Sequence, residues 1–117
     1  PSPFFKMNGR AVYQFAISEV PRSINRALTQ AAVAVDDVDW YLLHQANARI
    51  VQSVTKKLKA DPAKFPINID EHGNTSAASV PILLAQLAED GRLQRGQRLV
   101  LSGFGGGLSV GSLIVTY

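Results

Sequence analysis

The sequence contains no cysteine, which excludes disulfide bonds, thiolate metal ligands and a catalytic cysteine supplied by this chain. Charged residues are also scarce, at 18% of 117 residues. A small globule has a large surface for its volume and needs polar side chains to cover it. The low charge therefore predicts a piece of protein that packs against another piece. The chain begins at Pro1 rather than at a methionine, which is also typical of a fragment or a processed product.

No apolar run approaches the length of a membrane span, about 18 residues, and no signal peptide is visible. The length of 117 residues fits a single domain, and the hydrophobic fraction of 46% indicates a globular protein. The formal net charge of +3 is mild. It favours an acidic partner only where basic residues cluster, and by itself it indicates no nucleic-acid binding.

The first half of the chain alternates between helical and strand patterns. Apolar residues recur at helical spacing over residues 10–33, which predicts an amphipathic helix with a kink or a break at Pro21. A short aromatic and apolar run at residues 40–43 predicts a buried strand. His44 then lies at its carboxyl end, where ligands bind in open α/β sheets. Residues 47–59 predict a second helix with one apolar and one basic face. The basic face consists of Arg49, Lys56 and Lys59, with Lys57 on its flank.

The second half predicts a helix followed by a hairpin. Residues 65–70 are ambiguous between a loop and a short strand. The helix from Thr75 to Asp90 has almost no polar face, which is typical of a central helix covered on both sides. So short a chain can hardly cover it twice. Residues 98–104 and 108–117 predict antiparallel strands joined by a glycine-rich turn. The fold class is therefore α/β.

His44 and Asn74 are the strongest candidates for chemistry. One imidazole and one carboxamide can together donate two hydrogen bonds to an oxygen that gains negative charge. Taken alone, the histidine is explained by a strand end or helix cap, and the asparagine by a turn. A metal site is the weaker interpretation, because His72 is the only other histidine. Glycines such as Gly106 let a backbone N–H approach a reacting oxygen. The sequence predicts half of an active site without its nucleophile.

The basic cluster of Arg49, Lys56 and Lys57 has two interpretations. By default such a cluster is a solvated helix face. Because this helix begins beside His44, the cluster also suits the delivery of an acidic partner or a phosphorylated carrier arm.

Three ordered segments, residues 40–50, 72–81 and 103–107, resemble the signature blocks of the β-ketoacyl-acyl carrier protein synthase III family. These are the condensing enzymes with the thiolase fold that initiate bacterial type II fatty acid synthesis. The resemblance covers essentially the whole chain. It implies that residues 1–117 form the C-terminal half of a duplicated fold, with a mixed sheet layered with helices. The central helix would be buried against a missing N-terminal half, which carries the nucleophilic cysteine.

The resemblance also implies roles for single residues. In the family, the cysteine takes a short acyl group from coenzyme A, and the enolate formed by decarboxylation of malonyl-acyl carrier protein attacks it. His44 and Asn74 match the residues that stabilise the enolate, and the Gly106 N–H matches part of the oxyanion hole. The matches to the pantetheine tunnel are Met7, Gly9, Tyr13, Ala46, Asn47 and Ile50. The matches to the carrier-protein contact are Gln45, Ala46, Asn47, Ala48, Arg49, Lys56 and Lys57.

The implied partners are acyl carrier protein, acyl-CoA, the N-terminal half and, at full length, a second copy. No cofactor, metal, nucleic acid or membrane is implied, and the enzyme would be cytoplasmic. The fragment alone is expected to be inactive. Two alternatives stay open: a non-catalytic docking module for acyl carrier protein, and a specialised acyltransferase or a condensing enzyme with a branched starter. The chain departs from the family pattern at Gln14, Pro21 and Val110.

Overall fold

A computed structural model describes the chain over residues 9–44, 46–67, 79–105 and 109–117. These parts form three α-helices and three strands. In chain order the elements are α1 (Gly9–Ala31), β1 (Trp40–His44), α2 (Ala48–Leu58), α3 (Val80–Glu89), β2 (Arg98–Gly105) and β3 (Ser109–Thr116). Two short 3₁₀ helices lie at Val35–Asp37 and Pro62–Lys64.

The strands form one mixed sheet in the order β1-β2-β3. β1 and β2 are parallel, and His44 lies opposite Gly103. β2 and β3 are antiparallel, and Leu101 lies opposite Leu113. A parallel pair needs a long crossover, and α2 and α3 occur in the connection between β1 and β2. The predicted α/β class and the predicted hairpin are both confirmed.

Helix α1 contains Pro21 but is continuous from Gly9 to Ala31, so a break with restart at this proline is wrong. A proline inside a helix costs about 3 kcal/mol, because it removes a hydrogen bond and its ring crowds the preceding turn. Here the proline is itself buried. Both halves of the helix contribute to the same core, which offsets that cost. The core residues of α1 are Ala16, Val20, Ile24 and Leu28.

Helix α2 forms where the sequence predicts it, because both of its ends are capped. The Ile50 N–H donates to Asn47 Oδ1 over 3.0 Å at the N-cap, which satisfies one of the free donors of the first turn. Lys59 adopts a left-handed conformation at the other end, with φ 56°. The predicted apolar face is buried, and it includes Ile50, Val51, Val54 and Leu58. Lys56, Lys57 and Lys59 are exposed.

One face of the sheet packs against α1 and α2, and we call it the closed face. Tyr41, Val100 and Ile114 belong to its hydrophobic cluster. The Tyr41 ring stacks on Phe65 with 4.5 Å between ring centroids. The Tyr41 hydroxyl donates to the Val35 carbonyl oxygen over 2.8 Å. A core that includes both helices and the sheet therefore lies on this side.

The opposite face, which we call the open face, is covered only in part. Leu83 and Leu87 of α3 are buried against Leu42. On the same helix Ile82 is 46% exposed, and on β3 Leu113 is 65% exposed. The described chain therefore covers the apolar helix α3 on one side only, as its uniformly apolar sequence led us to expect. Helix α3 ends at Glu89, one residue before the predicted end at Asp90. Ser79, predicted as helical, is instead the extended N-cap residue before Val80. The predicted helical residues 75–78 lie outside the described residues.

The ambiguous segment is settled in part. Residues 65–67 form no strand, and residues 68–70 lie outside the described part. None of the helices described is both long and apolar enough to cross a membrane.

Candidate active site and docking groove

His44 ends β1 and points to the open face. Side chains alternate along a strand, so His44 lies on the same side as Leu42, which packs against α3. The histidine is partly buried. The candidate catalytic residue therefore faces the side of the sheet on which this chain leaves apolar surface uncovered.

Gly103 lies directly against the histidine. It is the parallel partner of His44 across β1 and β2. A Cβ atom added to this glycine would lie 2.8 Å from His44 Cβ and 3.3 Å from the His44 carbonyl oxygen. A side chain at position 103 would therefore force the histidine or its strand to move. Sequence reasoning missed this role, because no local pattern shows which residue of a distant strand faces His44.

Four of the predicted site residues lie outside the described part of the chain, namely Met7, Gln45, Asn74 and Gly106. The convergence of His44 and Asn74 on one oxygen, and the contribution of the Gly106 N–H, therefore stay predictions. Of the proposed catalytic set, the structure describes the position of His44.

A groove of about 900 Å³ lies between the start of α1 and the start of α2. It brings together residues that the family resemblance assigns to the pantetheine tunnel and to the carrier-protein contact. Tyr13 and Ile50 belong to the first group, Arg49 to the second, and Asn47 to both. The other lining residues are Arg10, Val12 and Gln14. Residues far apart in sequence thus form one surface beside the end of β1.

Specific contacts organise this groove. The Arg49 guanidinium lies over the Tyr13 ring, with 4.2 Å between Cζ and the ring centroid. The Tyr13 hydroxyl and Ser53 Oγ share a hydrogen bond of 2.5 Å. Asn47 uses its side-chain oxygen to cap α2. Neither the stacking nor the hydrogen bond was visible in the sequence, because Tyr13 and Ser53 are 40 residues apart.

Other predicted contact residues differ in exposure. Ala46 and Ala48 are each only 2% exposed, because this chain's own core covers them. Lys56 and Lys57 are exposed on α2, and Gly9 is the first residue of α1. Among the described residues, no acidic side chain pairs with Arg10 or Arg49. The ion pairs in the described part of the chain lie outside the groove, between Arg22 and Glu19 and between Arg92 and Asp90. Within the described ranges, the positive charge of Arg10 and Arg49 is therefore not neutralised by a paired carboxylate.

Comparisons with known proteins agree with this arrangement. The family described as 3-Oxoacyl-[acyl-carrier-protein (ACP)] synthase III C terminal matches residues 28–117. The chain is 59% identical over 116 residues to the beta-ketoacyl-[acyl-carrier-protein] synthase III of Lactobacillus helveticus, covering 99% of this chain and 36% of that protein. The enzyme of Levilactobacillus brevis is 54% identical over 115 residues, covering 98% of this chain and 35% of that protein.

Solved structures show the same relation. The 3-oxoacyl-(acyl carrier protein) synthase III of Pseudomonas aeruginosa superposes with a TM-score of 0.85 at 37% identity, covering 95% of this chain and 34% of that one. The chain thus spans about a third of the length of the relatives it matches. Its mixed sheet and helices are part of their fold. The chain therefore belongs to the 3-oxoacyl-[acyl-carrier-protein] synthase III family and corresponds to a C-terminal part of its members.

Proposed function

We propose that this chain is the C-terminal catalytic part of a cytoplasmic condensing enzyme that initiates type II fatty acid synthesis. The reaction joins a short acyl group from acyl-CoA, such as acetyl, to malonyl-acyl carrier protein by decarboxylative Claisen condensation. The observation that carries this proposal is the position of His44. It lies at the carboxyl end of β1, against Gly103, on the open face of the sheet.

The proposed chemistry needs an oxygen to carry negative charge for a short time. When the malonyl group loses carbon dioxide, the electron pair of the broken C–C bond forms an enolate on the thioester oxygen. His44 and Asn74 donate hydrogen bonds to that oxygen and lower the barrier. The enolate carbon then attacks the acyl group on a cysteine of the N-terminal part, and the thiolate leaves. The Gly106 N–H stabilises the oxygen of the attacked carbonyl.

The partner that completes the site is the N-terminal part of the same enzyme. The open face supports this, because Leu113 leaves apolar surface exposed on the side of the sheet that the histidine faces, and Ile82 of α3 is exposed as well. Exposed apolar surface of this kind is typical of an interface. This chain has no cysteine, so we expect it to be inactive alone. The full-length enzyme is proposed to form a homodimer and to need no cofactor besides its thioester substrates.

The test uses a full-length synthase in which this chain replaces the matching segment of the Lactobacillus helveticus enzyme. We expect His44→Ala and Asn74→Ala each to lower malonyl decarboxylation and condensation about 10²–10³-fold, as removal of an oxyanion donor does. His72→Ala serves as the control, because this histidine has no proposed catalytic role. Unchanged decarboxylation in His44→Ala or Asn74→Ala would show that the assigned roles are wrong.

A second candidate function is a docking module for acyl carrier protein. It is favoured by the exposed basic residues Arg49, Lys56 and Lys57 on α2. It predicts that the isolated chain folds and binds acyl carrier protein, and that the affinity falls as salt is added. An isolated chain that aggregates or lacks fixed tertiary structure would contradict it. A specialised acyltransferase of the same fold would differ in its acyl pocket, which the N-terminal part would mostly form.

A further inference from the structure

The side chain of Arg49 is held in place by a residue from another helix. Arg49 and Ser53 are four residues apart on α2, so their side chains lie on the same helix face. Tyr13 of α1 contacts both of them. Its ring lies under the Arg49 guanidinium at 4.2 Å, and its hydroxyl bonds to Ser53 Oγ at 2.5 Å. The tyrosine is therefore fixed at its hydroxyl end and supports the arginine with its ring.

This contact limits the freedom of an otherwise exposed side chain. A long arginine side chain on a helix surface can adopt many rotamers, and each must be given up when it binds a partner. Stacking on an aromatic ring favours rotamers that keep the guanidinium over the ring. The arginine is therefore ordered before an anion arrives, and a smaller entropy loss remains for binding.

The stacked guanidinium keeps its hydrogen-bonding capacity. Stacking uses the planar face of the group, whereas its N–H donors lie in the plane and point outward. Within the part of the chain that the structure describes, no carboxylate pairs with Arg49. Arg10 also lines the groove and adds a second positive charge. The surface therefore suits an acidic partner whose carboxylates accept hydrogen bonds from a fixed arginine.

We propose that Tyr13, fixed by Ser53, is a positioning residue that orients Arg49 toward the acidic surface of acyl carrier protein. The proposal rests on the proposed function for the identity of the partner. It adds a role for Tyr13 and Ser53 in the affinity for that partner, separate from the chemistry at His44. Carrier binding would then depend on the packing between α1 and α2.

The test is a double-mutant cycle in the full-length synthase that carries this chain. We expect Tyr13→Leu to raise the KM for malonyl-acyl carrier protein about two- to fivefold, the value of an exposed cation–π contact, with a smaller change in kcat. In an Arg49→Ala background the same substitution should raise KM no further. Tyr13→Phe and Ser53→Ala keep the ring and remove the hydrogen bond, so both should give smaller increases of similar size.

The chain offers a matched control at the other end of the sheet. Arg95 lies over the Tyr117 ring at 4.9 Å, in a pair that is not part of the groove. Tyr117→Leu should therefore leave the KM for malonyl-acyl carrier protein unchanged. Thermal unfolding of each variant shows whether a change in KM reflects a loss of folded protein. Tyr13→Phe and Ser53→Ala each remove only one oxygen. Their effect on KM therefore still tests the proposal if the Tyr13→Leu variant does not fold.

Two outcomes would overturn the positioning role. Either Tyr13→Leu leaves KM unchanged, or it raises KM by the same factor whether or not Arg49 is present, which would mean direct contact between Tyr13 and the substrate. A failure of the proposed function looks different, because the unsubstituted full-length enzyme would then catalyse no condensation. The two failures are thus told apart by the activity of the parent protein.

Discussion

The two faces of the sheet differ in how completely this chain covers them. On the closed face, α1 and α2 pack against Tyr41, Leu43 and Val100 in one extended cluster. On the open face, the buried cluster consists of Leu42, Leu83 and Leu87. The same three strands contribute to both sides, so the difference lies in the helices. The closed face is a finished core, whereas the open face has the properties of an interface.

This difference matters for function, because His44 lies on the open face. A histidine on a finished core would be best explained as a packing residue. A histidine at a strand end, on a face that still exposes Leu113 at 65%, is instead placed where a second part of the protein can complete a site. The groove that contains Tyr13 and Arg49, by contrast, is formed by α1 and α2, the helices of the closed face.

The largest expected effect on stability comes from a cavity in the core of the closed face. Ile24 is fully buried there. In the full-length synthase that carries this chain, Ile24→Ala should lower the free energy of unfolding by about 2–5 kcal/mol, because the cavity it leaves cannot fully collapse. Urea denaturation measures this. A loss below about 0.5 kcal/mol, typical of a surface site, would show that the closed face is not a finished core.

The open face is tested by comparing two states of the same substitution. If the N-terminal part covers Leu113, Leu113→Ser should lower the free energy of unfolding of the full-length enzyme by about 1.5–3 kcal/mol, the value of a buried leucine. In the isolated chain, where Leu113 is 65% exposed, the same change should stay within about 0.5 kcal/mol. Equally small effects in both proteins would mean that the full-length enzyme leaves this face open.

The smallest expected effect on stability concerns Tyr41 of the closed face and appears only at high pH. Burial, with a contribution from the nearby Asp36 carboxylate, raises the pKa of Tyr41 from 10.0 to about 12. Above pH 10 the unfolded chain loses the tyrosine proton before the folded chain does. The stability that Tyr41 contributes is therefore complete below pH 10 and is lost as the pH rises to about 12.

The measurement is denaturation of the full-length enzyme between pH 9 and about 12. Tyr41→Phe is the control, because it keeps the ring on Phe65 and removes the titrating hydroxyl. The parent enzyme should lose stability more steeply than this variant. Identical slopes would show that Tyr41 does not titrate with a raised pKa in the folded state.

Much of the local structure was predictable because it follows from short-range patterns. The apolar stripe of α1, the buried strand before His44 and the capped helix after Asn47 all depend on neighbouring residues. The sequence predicted a kink or a break at Pro21, and the break was wrong, because that rule considers only the backbone of one turn. The chain instead buries this proline within a continuous helix, and packing on both sides of it offsets the local cost.

The sequence by itself determined the helices and strands, the position of His44 at a strand end and the family resemblance. Periodicity and motif spacing depend on the order of residues along the chain and need no tertiary structure. Only the tertiary structure decided that Gly103 lies against His44 and that Tyr13 joins Ser53 to Arg49. These residues are distant in sequence, and the sheet register and the packing of α1 on α2 bring them together. Such contacts depend on how whole elements pack, a property that no local pattern contains.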